Sequence, residues 1–213
     1  MVRPYTPAYR EAVRHICCET GFMGRPVDTL FSDREVFADF FTRYYTDWEP
    51  ESCLVAEADG EVVGYLAGCL RYRLYPVVQA SILLGLIIPK VALRVAAQRY
   101  NRQTLGFLRW VVLKSLAQTP KRPPRAAHFH INVLPRGRVD NLGLKLIFSF
   151  LDSLPRRGIQ RVFGQIQTYD DRRPVKIFER YGFKLFDQRR VTKFERLEKK
   201  AVYVSTFLKE LPG

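Results

Sequence analysis

Two apolar runs, residues 53–58 and 62–69, meet at the dipeptide Asp59-Gly60. No other feature of the chain narrows its possible folds as much. Asp-Gly tolerates the two positive φ angles of a type I′ turn, whose twist matches that of paired strands. The junction therefore predicts an antiparallel hairpin.

Around this hairpin the periodicity changes repeatedly. Residues 2–5 read as a short strand, closed by Thr6-Pro7. Tyr9, Ala12, Val13, Ile16 and Cys17 recur at helical spacing, and Gly21 and Gly24 end that helix. Ser32 or Asp33 is placed to cap a second helix, with Glu35 near its third position, running to about Tyr45. Residues 77–97 are apolar with Pro89-Lys90 in the middle, and 103–118 are again helical. Pro120, Pro123 and Pro124 mark a stiff basic linker. Residues 126–134 read as a strand, 142–154 as a helix, 161–168 as a strand, and 174–181 as a short helix stopped by Gly182. Two more strands follow Phe183, with 190–196 and 201–208 expected as a closing hairpin. This succession predicts an α+β fold, a mixed and mostly antiparallel sheet of six to seven strands flanked by helices. Residues 1–213 are expected to form a single domain, with 71–125 a helical insertion between the third and fourth strands.

A content of 47% hydrophobic and 13% aromatic residues excludes disorder as the main state. Cys17, Cys18, Cys53 and Cys69 fit no metal spacing and read as small buried hydrophobes, so no metal is expected. No apolar stretch follows the first five residues, which predicts a cytoplasmic protein without a secretory signal.

Charge is unevenly spread. The chain carries a net +14, and residues 62–139 contain no Asp or Glu. Such a segment suits a polyanion: a phosphorylated cofactor or an anionic membrane surface. No nucleic-acid reading motif accompanies it, so a nucleic-acid role is not favoured. The apolar run at 77–97 is interrupted by Gln79, Pro89, Lys90 and Arg94, which argues against a membrane span. Leu105, Leu108 and Val112 are expected along one helical face. Together the stripes would cover the sheet, form a homodimer contact or rest on anionic lipid.

Residues 131–143 read Ile-Asn-Val-Leu-Pro-Arg-Gly-Arg-Val-Asp-Asn-Leu-Gly. This stretch resembles the acetyl-coenzyme A loop of the GNAT superfamily of N-acetyltransferases, a strand ending in Val-x-Pro before a turn of the form Gln/Arg-x-x-Gly-x-Gly/Ala. Residues 177–183, Ile-Phe-Glu-Arg-Tyr-Gly-Phe, resemble the later Leu-Tyr-Glu-Lys-Leu-Gly-Phe segment of that superfamily. The first seven residues after Met1 resemble its opening strand and turn. The likeness covers roughly residues 1–70 and 126–208 and omits the insertion.

The resemblance implies an acyltransferase that passes acetyl from acetyl-coenzyme A directly to an amine, on a small molecule or a peptide. It also implies coenzyme contacts at Val133, Leu134, Arg138, Val139, Asp140, Asn141, Gly143, Leu144, Asp171 and Phe178. A helix opening near Asn141 offers backbone N–H groups and a positive dipole end to a pyrophosphate, and Gly143 removes a Cβ from the approach. Asn141 stands where the first glycine is usual. Phe178 stands where the family places an acidic Tyr, and a side chain without a proton there motivates an alternative, a coenzyme-binding or regulatory module without turnover.

Strand alternation puts His128, His130 and Asn132 on one face. The two histidines are candidate bases with pKa values expected near neutrality, and Asn132 is a candidate acceptor contact. Glu49 and Glu51, just before the hairpin, are candidates to hold a cationic amine.

Overall fold

In the computed structural model, residues 1–138, 141–169 and 173–211 are described. Seven strands form one sheet: β1 (Val2–Pro4), β2 (Cys53–Ala58), β3 (Glu61–Cys69), β4 (Ala127–Val133), β5 (Arg161–Tyr169), β6 (Lys184–Val191) and β7 (Val202–Glu210). Their order is β1-β2-β3-β4-β5-β7-β6, antiparallel throughout except for the parallel pair β4–β5. The predicted turn is present. Asp59 and Gly60 have φ of 52° and 78°, both positive as a type I′ turn requires.

Helices α1 (Arg10–Thr20) and α2 (Arg34–Trp48) cover one face. They bury Val13, Ile16, Cys17, Val36 and Tyr44 against Val55, Tyr65, Ala67 and Cys69. Of the two candidate caps, Asp33 is the one used, its Oδ1 accepting the Val36 N–H at 3.1 Å. Helix α5 (Leu142–Ser153) covers the opposite face, where Leu142, Leu146 and Phe150 meet Val63, Leu66 and Phe129. All four cysteines are buried and free. The short helix α6 (Arg173–Arg180) precedes β6, and Gly182 takes a φ of 78° just beyond it.

Between β3 and β4 the chain is helical, as α3 (Tyr75–Ala96) and α4 (Arg102–Gln118). The helix runs through Pro89 without a break. A π-helical stretch, Leu83–Ile87, lies just ahead of it, and the Ile88 N–H reaches back to the Leu83 carbonyl. The wider turn absorbs a residue that lacks an N–H and whose ring would crowd the carbonyl four residues earlier. By length and composition alone α3 is thus long enough to cross a membrane. The shared face expected for Leu105, Leu108 and Val112 is also split, because Leu108 packs inward on the core while Leu105 and Val112 face solvent.

The closing hairpin is displaced as well. β6 ends at Val191, and Thr192–Phe194 form a 3-10 turn in place of strand. Phe194 is drawn inward against Phe22, Leu30 and Val202, a tertiary contact that alternation along 190–196 does not reveal.

Candidate active site

The parallel pair β4–β5 is joined at three positions only: Ala127 with Val162, His128 with Phe163, and Phe129 with Gly164. Beyond Phe129 both strands continue, β4 to Val133 and β5 to Tyr169, with no further pairing between them among the described residues. The sheet opens there into a wedge. Residues 130–134 are each half-buried although their strand lies in the middle of the sheet.

Backbone groups of β4 divide by alternation. β3 pairs with β4 in antiparallel register, and the Leu134 N–H donates to the Val63 carbonyl at 2.8 Å. Antiparallel ladders direct alternate residues to opposite edges. Leu134, Asn132 and His130 therefore bond to β3, whereas the N–H groups of Ile131 and Val133 and the Ile131 C=O are directed to the wedge, the Val133 C=O being taken by Arg138. Leu134, expected to contact a coenzyme through its strand-end backbone, has its N–H engaged in the ladder. Ile131, which the sequence did not single out, shares the exposed edge with Val133.

A single turn, Pro135–Arg138, follows the strand. A Cβ on Gly137 would lie 2.9 Å from Val63 Cγ2 and 3.0 Å from Val133 Cγ1, so a glycine is needed for this turn to fold back on the sheet. Arg138 ties the turn down, donating from Nε to the Val133 carbonyl at 3.1 Å and from Nη2 to the Gly24 carbonyl at 3.3 Å. Asn141 has a φ of 53°, the left-handed conformation that Asn accepts more readily than most residues, and its side chain makes no capping bond. The first-turn N–H groups of α5, at 142–144, are ones an α-helix leaves without an intrahelical partner. At Gly143 an added Cβ would meet only Val133 Cγ2, at an ordinary 3.6 Å. Internal packing does not demand a glycine there. An open helix N-terminus, a backbone approach without a Cβ and an unpaired strand edge fit a long ligand with a phosphate group. Val139, Asp140 and Asp171 lie outside the described residues.

On the α1–α2 face, His128, His130 and Asn132 lie together as their alternation predicts. The His128 Nε2 is 3.0 Å from the Tyr45 hydroxyl, and its ring stands edge-on to Tyr75 at 4.6 Å. Asn132 Nδ2 donates to the Tyr65 hydroxyl at 2.9 Å and lies 3.1 Å from His130 Nε2. An amide nitrogen only donates, so His130 Nε2 is an acceptor and its proton sits on Nδ1. The His130 ring stacks over Phe41 at 5.8 Å.

The expected neutral-range titration is not what these surroundings produce. Burial pushes His128 down to about 3, with Arg122 and His130 adding to the effect. Burial pushes His130 down to about 4. Both imidazoles are neutral at pH 7, and each is a weak base.

Glu49 and Glu51 do not join this group. Glu49 is 1% exposed and accepts from Tyr44 Oη at 2.8 Å, Ser52 Oγ at 3.2 Å and the Leu70 N–H at 2.6 Å. Glu51 pairs with Arg71 at 2.6 Å. Both carboxylates anchor the exit from β3 into the insertion: the buried Glu49 must find donors and the chain supplies them there, while the exposed Glu51 pairs across to Arg71. Phe178 stacks on Phe207 at 5.1 Å and meets Phe183 edge-on at 5.4 Å, and Tyr181 packs edge-on to Phe148. Phe41, Tyr65 and Tyr75, which with Tyr45 surround the histidines, carry no signal in the sequence. Their helical and strand positions look like ordinary core, and only the fold brings them to β4. Among the described residues no group of three His, Cys, Asp or Glu side chains is arranged to hold a metal ion.

A model of the acetyltransferase (GNAT) family matches residues 26–183. Among solved structures, the chain is similar to SsHAT at 26% identity, with 100% of this chain and 98% of that one covered and a TM-score of 0.64. It is similar in fold to a Drosophila melanogaster polyamine N acetyltransferase, at 15% identity, 99% coverage of both chains and a TM-score of 0.57. It is likewise similar to yncA from Salmonella typhimurium, solved with its cofactor acetyl-CoA, at 14% identity, with 100% and 94% covered and a TM-score of 0.55. A search of curated proteins gave no significant match.

Proposed function

The chain belongs to the GNAT family of acetyltransferases, and from that premise we propose that it moves the acetyl group of acetyl-coenzyme A onto an amine by direct attack. The wedge between β4 and β5 carries this reading. On it, the backbone edge of Ile131 and Val133 holds the acyl-bearing arm of the coenzyme, and a Val133 N–H directed into the wedge stabilises the oxyanion that forms at the thioester carbonyl. The amides at 142–144 receive the pyrophosphate, with Gly143 keeping the approach open and Arg138 fixing the turn. Bound there, the coenzyme supplies an activated acyl group and a thiol leaving group.

The amine enters from the histidine face. His128 and His130, both neutral, line the path of the amine rather than extract a proton from an ammonium ion. The acceptor therefore attacks as its free base, and its proton passes to water. Phe41 and Tyr75, half-buried beside the histidines, favour an amine carried on an apolar or aromatic body. With Phe178 packed among other rings, the departing thiolate takes its proton from water. Four free thiols fit a reducing compartment, the cytoplasm.

Acetyl-coenzyme A should raise the melting temperature, and a panel of aromatic amines, polyamines and peptide N-termini should then give thiol release with at least one class. Stabilisation without release on any amine would favour a binding module without turnover. No stabilisation would sink both readings.

A further inference from the structure

Helix α3 is built inside out for a surface helix. Its only two charged residues, Lys90 and Arg94, turn inward to α2. Lys90 meets Glu35 at 2.6 Å and Asp39 at 2.9 Å, and Arg94 pairs with Asp33 and Glu35. Val78, Ile82 and Ile87 join the core on that same inner side. What remains outward carries no charge and includes Val77, Leu84 (66% exposed), Ile88 and Leu93 (70% exposed). A helix facing only water normally shows the reverse arrangement.

Helix α4 also leaves apolar side chains outside. Phe107 and Leu108 pack inward on the same cluster as α3, and Val112 (78% exposed), Leu113 and Leu116 (94% exposed) face out. Exposed apolar surface of this extent marks an interaction site rather than chance. Exposed cations accompany it: Arg73, Arg99, Arg102, Arg109 and Lys114. A groove of about 650 Å³ along α4 adds Lys193 and Arg196 to Arg102, Arg109 and Lys114.

We propose that the outward faces of α3 and α4 seat the protein on an anionic lipid surface, their apolar side chains entering the boundary between headgroups and acyl chains while the flanking Arg and Lys side chains engage lipid phosphates. Charge selects the occupant. A second copy of a chain with a net charge of +14 would bring the same cations to the same patch and repel it. An anionic bilayer complements both the apolar face and its cationic surround. The helix lies on the membrane rather than crossing it, since crossing would tear Val78, Ile82 and Ile87 from the core and strip Lys90 and Arg94 of their acids. This docking is independent of the reaction proposed above.

The full chain should sediment with phosphatidylcholine vesicles containing phosphatidylglycerol and not with phosphatidylcholine alone, and added salt should weaken the association. The double variant Leu84→Glu with Ile88→Glu should lose about tenfold or more of this binding while its stabilisation by acetyl-coenzyme A is unchanged. A second variant, Arg102→Gln with Arg109→Gln, should weaken binding to anionic vesicles without exposing any buried side chain. The proposal is overturned by absence of sedimentation on anionic vesicles at low salt, by equal binding to neutral ones, or by unaltered binding in both variants. It is equally overturned if the wild type is a stable dimer that the Leu84/Ile88 variant dissociates, since a second copy would then be the occupant.

Discussion

The Tyr45 hydroxyl stands 3.0 Å from His128 Nε2, joining the end of α2 to the strand that opens the wedge. Tyr45 is itself held well above its usual pKa by burial, with Tyr75 and Cys69 adding to it, so it keeps its proton. Neither partner ionises in the neutral range. The face proposed for the amine is therefore wired for hydrogen bonding rather than for proton storage.

This has a kinetic consequence. The kcat/KM profile should show no enzyme ionisation between about pH 5 and 8 and should climb toward the pKa of the amine. His130→Gln should lower kcat while leaving the shape of the profile unchanged. An inflection near neutrality that disappears in the variant would restore a conventional histidine base.

The same histidines should make the fold acid-sensitive. Their folded pKa values, about 3 and about 4, lie below the ordinary 6.5. The unfolded chain thus binds protons first, and stability is present in full above 6.5 and drains as the pH falls toward 4. Urea midpoints measured across that window should decline, and less steeply in His130→Gln. A flat response in the wild type would contradict the burial of both rings.

Gly143→Glu should stay folded, because an added Cβ meets only Val133 at 3.6 Å. It should nevertheless lose acetyl-coenzyme A binding, by filling and charging the approach to the α5 amides. Calorimetric titration reads this directly. Wild-type affinity in the variant would move the phosphate site elsewhere.

Gly137→Ala tests the neighbouring turn by a different route. Its methyl group would press on Val63 and Val133 at 2.9 and 3.0 Å, and overpacking of this kind costs about 1–3 kcal/mol. The displaced end of β4 should raise the KM for acetyl-coenzyme A more than it lowers kcat. An unaltered KM together with unaltered stability would show that the turn has room to spare.

Asp39 binds the insertion to the body, meeting Arg14 at 2.6 Å and Lys90 at 2.9 Å while 3% exposed. Burial acts to raise its carboxyl, but Lys90 and Arg14 outweigh it and hold the pKa below 3.8. The stabilisation is accordingly present above 3.8 and lost as the pH falls through the lowered folded value. Asp39→Asn should cost about 2–3 kcal/mol at neutral pH, with the difference from wild type vanishing in strong acid. Urea titrations at both pH values would reveal a mistaken pairing as equal stability throughout.

Much of this architecture is written in local chemistry. Asp59-Gly60 demands a tight hairpin turn whatever surrounds it, and alternation alone places His128, His130 and Asn132 on one face. The turn proposed to hold the coenzyme is legible because Val133, Pro135 and Gly143 stand at characteristic spacings. These are properties of dihedral preference and short-range periodicity, which one stretch of chain carries by itself. Other features arise from contacts between distant segments. The register with β3 consigns the Leu134 N–H to the ladder and turns Val133 to the wedge. Burial lowers both histidines, and donors from three segments claim the Glu49 carboxylate. Lys90 and Arg94 look in sequence like breaks in an apolar helix, yet acids on α2 draw them inward and leave the apolar face outside. Burial and pairing depend on what the rest of the chain brings within a few ångströms, and no local pattern records that.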